Sequence, residues 1–103
     1  EVLAACGEAA QGEVVSAVNF NAPGQVVIAG NAAAVERAIE ICKSKGAKRA
    51  MPLPVSVPSH CDLMRPAAER FAAAVTGAAW QAPEIPLCDR SGRVRPGQGA
   101  FRP

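Results

Sequence analysis

The chain has no tyrosine, one tryptophan and three phenylalanines among its 103 residues. A core with so few large rings has to be built from Val, Ile, Leu and Ala, each contributing a smaller buried area. No apolar run approaches the ~20 residues a membrane-spanning helix needs, so no membrane partner is expected. The four cysteines, Cys6, Cys42, Cys61 and Cys88, include no Cys-x-x-Cys pair, which argues against a zinc site or any other metal. Glu1-Val2-Leu3-Ala4-Ala5-Cys6 has neither the basic start nor the length of a signal peptide. Free thiols in a reducing cytoplasm are therefore expected. Charge of one sign is scarce as well: the formal net charge is +2, too little to imply a nucleic-acid partner.

What is present is patterned. The length suits one small domain with a modest core. Residues 1–7 read as the last turns of a helix closed by Gly7, as in a piece cut from something larger. Glu13 to Phe20 carries Val14, Val15 and Val18 and reads as a strand. Asn21-Ala22-Pro23-Gly24 is turn chemistry, since proline presets φ and glycine permits a left-handed residue. Gln25 to Ala29 completes a hairpin. Asn31 caps a helix from about Ala32 to Lys45, with Val35, Ala38, Ile39 and Cys42 on one face and Lys43 and Lys45 at the dipole-favoured end. Ala47 to Val57 reads as extended, an edge or irregular strand because Pro52, Pro54 and Pro58 cannot donate ladder bonds. A helix follows from Pro66 to about Val75, with Leu63, Ala67, Phe71, Ala74 and Val75 as its apolar face and Gly77 as its stop. Glu84 to Cys88 is a last short strand. The order is β-β-α-β-α-β after a helical stub, an α+β sandwich with two helices on one face of an antiparallel sheet.

Chemistry concentrates at His60, the only histidine. It stands in Val55-Ser56-Val57-Pro58-Ser59-His60-Cys61-Asp62-Leu63-Met64, where an apolar strand runs into a Pro-Ser-His corner before a helix pattern. A loop at a strand end can offer an imidazole to a cleft, and histidine titrates nearest neutrality. The plain alternative is a residue that caps the following helix. Cys61 beside it suggests a Cys-His pair, but adjacent side chains seldom aim at each other. Glu36, Arg37, Glu40 and Lys43 read as a solvated helix face.

Two stretches carry a family likeness. Val18-Asn19-Phe20-Asn21-Ala22-Pro23-Gly24-Gln25-Val26-Val27-Ile28-Ala29-Gly30 resembles a characteristic segment of malonyl-CoA:acyl-carrier-protein transacylases. Ala50-Met51-Pro52-Leu53-Pro54-Val55-Ser56-Val57-Pro58-Ser59-His60-Cys61 resembles their catalytic-histidine segment, at matching separation. The likeness runs in register over about residues 1–87. It implies the ferredoxin-like smaller subdomain of an enzyme of fatty-acid synthesis. It implies malonyl-CoA and acyl-carrier protein as substrates, no cofactor, and His60 as the base that activates a serine nucleophile. The family's serine sits on a Gly-x-Ser-x-Gly elbow in a large subdomain, which also supplies an arginine for the malonyl carboxylate. None of Ser16, Ser44, Ser56, Ser59 or Ser91 stands in that frame, so the chain by itself is expected to be inactive.

Asn19 and Asn21 are unusual strand residues. They either line the acyl-thioester channel near the pantetheine arm or serve the turn that follows. Gln25 matches a family position near the coenzyme A entrance. Ser59 either orients the histidine loop or acts as an N-cap. Three regions are expected: residues 1–12 as the end of a helix and a linker from a larger domain, 13–88 as the ferredoxin-like subdomain, and 89–103 as a basic Gly/Pro/Arg tail, disordered or non-native. Arg90, Arg93, Arg95 and Arg102 oppose only Asp89 in that tail, and nothing there resembles the family. With its large subdomain missing, such a piece exposes apolar surface and is expected to self-associate. A non-enzymatic α+β binding or structural module that self-associates is the competing reading.

Overall fold

A computed structural model describes residues 1–92 and the backbone of Val94 and Arg95. It divides into two compact units, Glu1–Ala68 and the part from Glu69 onward. The class is α+β.

In the first unit, α1 (Val2–Ala10) is rich in alanine, the strongest helix former. Val2, Ala5, Cys6 and Ala9 recur at three- and four-residue spacing, and the last three of these are buried. The helix passes through Gly7, the residue expected to close it. Gln11 and Gly12 stop it instead, both left-handed at φ 46° and 87°. Gly7 has no positive φ and stays inside the helix.

The hairpin forms as expected, with β1 (Val15–Ala22) antiparallel to β2 (Gln25–Gly30). Pro23 and Gly24 form the two-residue loop, and Gly24 takes φ 78°. The pairing shifts register between Ala17 and Asn19 and again between Phe20 and Ala22, so Val18 and Asn21 are the extra residues of two bulges. The open end is closed by a reciprocal clasp. Asn31 N–H donates to the Val14 carbonyl at 2.8 Å, and Val14 N–H donates to Asn31 Oδ1 at 2.8 Å. The backbones approach so closely there that a Cβ on Gly30 would lie 2.0 Å from Val14 O. Asn31 does stand at the start of α2 (Ala32–Ser44), but its side chain holds the hairpin and makes no capping bond.

The core joins α1, β1 and α2: Cys6, Ala9, Val15, Ala34 and Ala38, with Val2, Ala10, Ile28, Val35 and Ile41 packed around it. Its members are small because two helices approach each other over alanine. Arg37 ties the ends together. Its Nε donates to Ala9 O at 2.8 Å and its Nη2 to Ala10 O at 3.2 Å, and Nη2 also pairs with Glu13 at 2.6 Å. These carbonyls end α1, where a cation is favoured. Arg37 is therefore a clamp rather than part of an idle solvated face.

The third strand expected over Ala47–Val57 is not formed. Val55 N–H turns back to Leu53 O at 2.8 Å, and Ser59 N–H to Val57 O at 2.9 Å. Those are tight local turns that use the donors a ladder would need. The chain then enters a 3₁₀ turn (Asp62–Met64) and α3 (Arg65–Gly77). Pro66 falls in the first turn, where its missing N–H costs nothing.

The expected apolar face of α3 has no buried residue, and Phe71 is 70% exposed. Trp80 Nε1 donates to Val75 O at 2.6 Å, satisfying a carbonyl in the last turn of the helix. The strand expected over Glu84–Cys88 shrinks to β3 (Leu87–Cys88), which pairs with β4 (Val94–Arg95). Asp89 makes the turn by accepting from Ser91 N and Oγ at 2.9 and 2.5 Å. The start of the expected tail is thus a hairpin. Residue 93 and residues 96–103 lie outside the described residues. No described helix is long and apolar enough to cross a membrane, and no described acid, histidine or cysteine cluster could hold a metal ion.

Candidate functional site

His60 occupies the left-handed backbone region, at φ 65°. Apart from Gln11, it is the only non-glycine residue with positive φ among the described residues. An L-residue held there costs of order 1 kcal/mol and persists where the surroundings impose it, often at functional sites. What imposes it here is legible. Pro58 restricts the chain before the corner, and Ser59 N–H is tied back to Val57 O. After the corner, the Cys61 thiol donates to Pro58 O at 3.1 Å, and Met64 N–H donates to Cys61 O at 3.0 Å. Cys61 is buried and acts as an anchor, with its thiol turned to a carbonyl rather than to the imidazole.

The result is an exposed histidine on a pinned corner. His60 makes no hydrogen bond among the described residues, and it lines an open cleft of about 350 Å³ with Ser16, Cys61, Asp62, Met64, Arg65 and Ala68. Asp62 and Arg65 pair at 2.5 Å on successive turns, both exposed. The cleft therefore offers an imidazole, a hydroxyl and a neutralised ion pair beside the Met64 thioether. A group with an imidazole free at both nitrogens can accept a proton from an incoming hydroxyl or thiol and return it. Capping is not its role. Cys61 holds the N-cap position of the 3₁₀ turn, and no side chain makes a capping bond there. The same observation removes the capping reading of Ser59, which is exposed.

The remaining candidates are not gathered at this cleft. Asn19 and Gln25 sit in the paired part of the hairpin, Asn21 is at its second bulge, and all three are exposed. Ser59 precedes His60 but does not line the cleft. Ser16, Asp62 and Arg65 were not singled out by sequence. Asp62 and Arg65 stand at i, i+3 in a helical start, a detectable pairing, whereas Ser16 meets His60 only through the fold.

No protein-family model matches the chain. Its relatives are informative. The malonyl CoA-acyl carrier protein transacylase of Escherichia coli strain K12 is 60% identical over 86 residues, 84% of this chain and 28% of that protein. An acyl carrier protein S-malonyltransferase from Vibrio cholerae superposes with a TM-score of 0.73 at 61% identity, over 85% of this chain and 29% of that one. A malonyl-transacylase solved in complex with its type II PKS acyl-carrier protein superposes with a TM-score of 0.74 at 53% identity, over 91% of this chain and 31% of that one. The class these relatives define is acyltransferase. Over the matched stretch this chain is homologous to the malonyl CoA-acyl carrier protein transacylases, and it spans about 28% of their length.

Proposed function

We propose that this chain is the histidine-bearing, ferredoxin-like portion of a cytoplasmic enzyme that moves malonyl from coenzyme A to acyl-carrier protein, with His60 as its base. The proposed chemistry needs no cofactor. A serine supplied outside this chain gives its proton to His60 and attacks the malonyl thioester. A malonyl ester forms, and coenzyme A leaves as its thiol, taking the proton that His60 received from the serine. The carrier protein's phosphopantetheine thiol then attacks the ester and gives its proton to the imidazole, which returns one to the serine oxygen. Asn19, Asn21 and Gln25 are assigned to the path of the pantetheine arm, and Ser59 to the histidine loop.

The observation that carries this reading is the left-handed, exposed and unbonded His60 at the mouth of a cleft. Residues held in that region against the backbone cost cluster at functional sites, which supports the reading. By itself the chain transfers no malonyl, because no serine stands in the elbow frame. Exposed Phe20, Val55, Phe71 and Ile85 favour self-association of the isolated chain. A sedimentation profile that stays monomeric across concentrations would remove that part.

The test uses a full-length transacylase carrying residues 1–87 of this chain in place of its own stretch. It should transfer malonyl, and His60→Ala should slow acylation by ~10²–10⁴-fold, the usual worth of a general base. Near-full acylation by the variant would sink the assignment.

A further inference from the structure

The corner that carries His60 is a closed loop, and a single side chain closes it. The Cys61 thiol reaches back three residues to donate to Pro58 O at 3.1 Å, so the bond encloses Ser59 and His60. Within that loop His60 takes φ 65°, while Cys61 is extended, at φ −116° and ψ 171°. Cys61 is only 9% exposed, and it lines the same cleft as His60. Two backbone bonds flank the loop. Ser59 N–H donates to Val57 O at 2.9 Å on the entering side, and Met64 N–H donates to Cys61 O at 3.0 Å on the leaving side. Neither of those spans His60, whereas the thiol bond does. A small apolar side chain at position 61 would fill the same buried space, but it would leave the loop open.

We propose that Cys61 is a positioning residue for the acyl transfer assigned to His60. Its thiol–carbonyl bond holds the His60 backbone in the left-handed region and so keeps the imidazole aimed at a serine supplied from outside this chain. The role rests on the reading of His60 as the base. Cys61 takes no proton in the reaction and touches no reacting atom. A thiol is a weak donor, so its contribution is to geometry more than to stability. The backbone cost at His60 is small enough for one such bond to decide between a held corner and a relaxed one. A misplacement of ~1 Å at a catalytic group can cost ~10²-fold in rate. With both flanking bonds still in place, opening the loop should cost less, ~10-fold. The loss should fall on kcat and not on KM, because the groups that bind substrate stay where they are.

Two substitutions separate the bond from the volume. Cys61→Val fills the buried space and suits extended backbone, but it cannot donate. Cys61→Ser keeps a donor on a smaller side chain. In the 103-residue chain, nuclear magnetic resonance reads the corner directly, since a positive φ brings the amide and α protons of His60 close together. The intraresidue cross-peak between them should be strong in the parent and in Cys61→Ser and weak in Cys61→Val, with the amide spectrum outside residues 57–64 unchanged. In the full-length transacylase carrying residues 1–87, Cys61→Val should lower the acylation kcat by ~10-fold with KM within about twofold, and Cys61→Ser should recover most of the rate. Should valine disturb the fold, Cys61→Ala takes its place in the same comparison. A parent-strength cross-peak without the thiol, an unchanged kcat, a loss that falls on KM, or Cys61→Ser as slow as Cys61→Val would each overturn the proposal and leave His60 as the base. Near-full acylation by His60→Ala would overturn the reading of His60 and the role of Cys61 with it, and the cross-peak tells the two failures apart.

Discussion

Residues 2–44 and residues 47–61 are both rich in apolar side chains, yet only the first stretch builds a core. In residues 2–44 Ala9, Ala34 and Ala38 are fully buried. In residues 47–61 Met51, Leu53, Val55 and Val57 are all at least half exposed. The difference lies in the backbone before it lies in the side chains. Alternate residues of a strand direct their N–H groups to one edge, and Pro52, Pro54 and Pro58 fall on alternate positions. That edge has lost three donors. On the other edge, Val55 N–H is already spent on Leu53 O. Apolar side chains without a ladder to carry them find no partner within this stretch, whereas the hairpin carries Val15 and Ile28 directly onto the helices.

The sharpest way to break this contrast is a pair of single-methyl or side-chain changes of opposite expected outcome. Gly30→Ala puts a methyl against Val14 O at the clasp, where neither backbone can yield without opening the hairpin. A loss of ~3 kcal/mol or more is expected in urea unfolding followed by circular dichroism. Val55→Ala removes two methyl groups from a side chain 72% exposed and should shift stability by less than ~0.5 kcal/mol. Comparable losses for the two would show that residues 47–61 pack after all.

Arg37→Ala comes next. It strips the cation from the Ala9 and Ala10 carbonyls and from Glu13. The side chain is about one-third exposed, so a loss of ~1–2 kcal/mol is expected, most of it from the helix-end bonds rather than the ion pair. Arg37→Lys should restore less than half, because an ammonium cannot span two carbonyls as a fork. Full rescue by lysine would show that charge alone matters.

Only part of this fold is legible in the sequence. The hairpin and α2 were legible because β-branched runs, Pro23-Gly24 and helical spacing all agree locally. The end of α1 was misplaced because Gly7 looks like a helix stop, while the stop actually used, Gln11-Gly12, includes a glutamine that carries no such signal. The clasp of Asn31 and the clamp of Arg37 bridge 17 and 27–28 residues, and no local pattern encodes a contact of that range. At the site, His60 was legible by type and by its Pro-Ser-His corner. Its left-handed backbone was not, since neither Ser59 nor Cys61 announces it. The β3–β4 hairpin was missed because two-residue strands have no periodicity to detect.

His60 itself sets the third test, because its cost should be separable from its role. His60→Gly relieves the left-handed backbone but gains freedom in the unfolded chain, and the two effects offset. Stability should change by less than ~0.5 kcal/mol. His60→Val, which cannot adopt that region easily, should lose ~1 kcal/mol or more. If glycine and valine behaved alike, the corner would have relaxed, and the pinned geometry would not be a property of residues 58–64.

The smallest expected effect is a pH dependence confined to the helical half of the contrast. Burial, and secondarily Cys42, raise the Cys6 thiol above 9.0 in the folded chain. The unfolded chain then releases that proton at lower pH than the folded one, so between the two values the folded state holds more protons. Stability linked to Cys6 is therefore fully present below about pH 9 and declines as pH rises through the folded value. Cys6→Ala removes the titrating group while keeping a small side chain beside Ala34 and Ala38. Urea midpoints of the two proteins, measured in reductant from pH 7 to pH 10.5 or so, should run parallel up to ~pH 8.5 and converge or cross above it as the parent loses stability faster. Curves that stay parallel throughout would mean that Cys6 ionises as easily folded as unfolded. In that case the alanine-lined contact between α1 and α2 would be open to water, and the division between a packed half and an open half would fail where it is most sharply drawn.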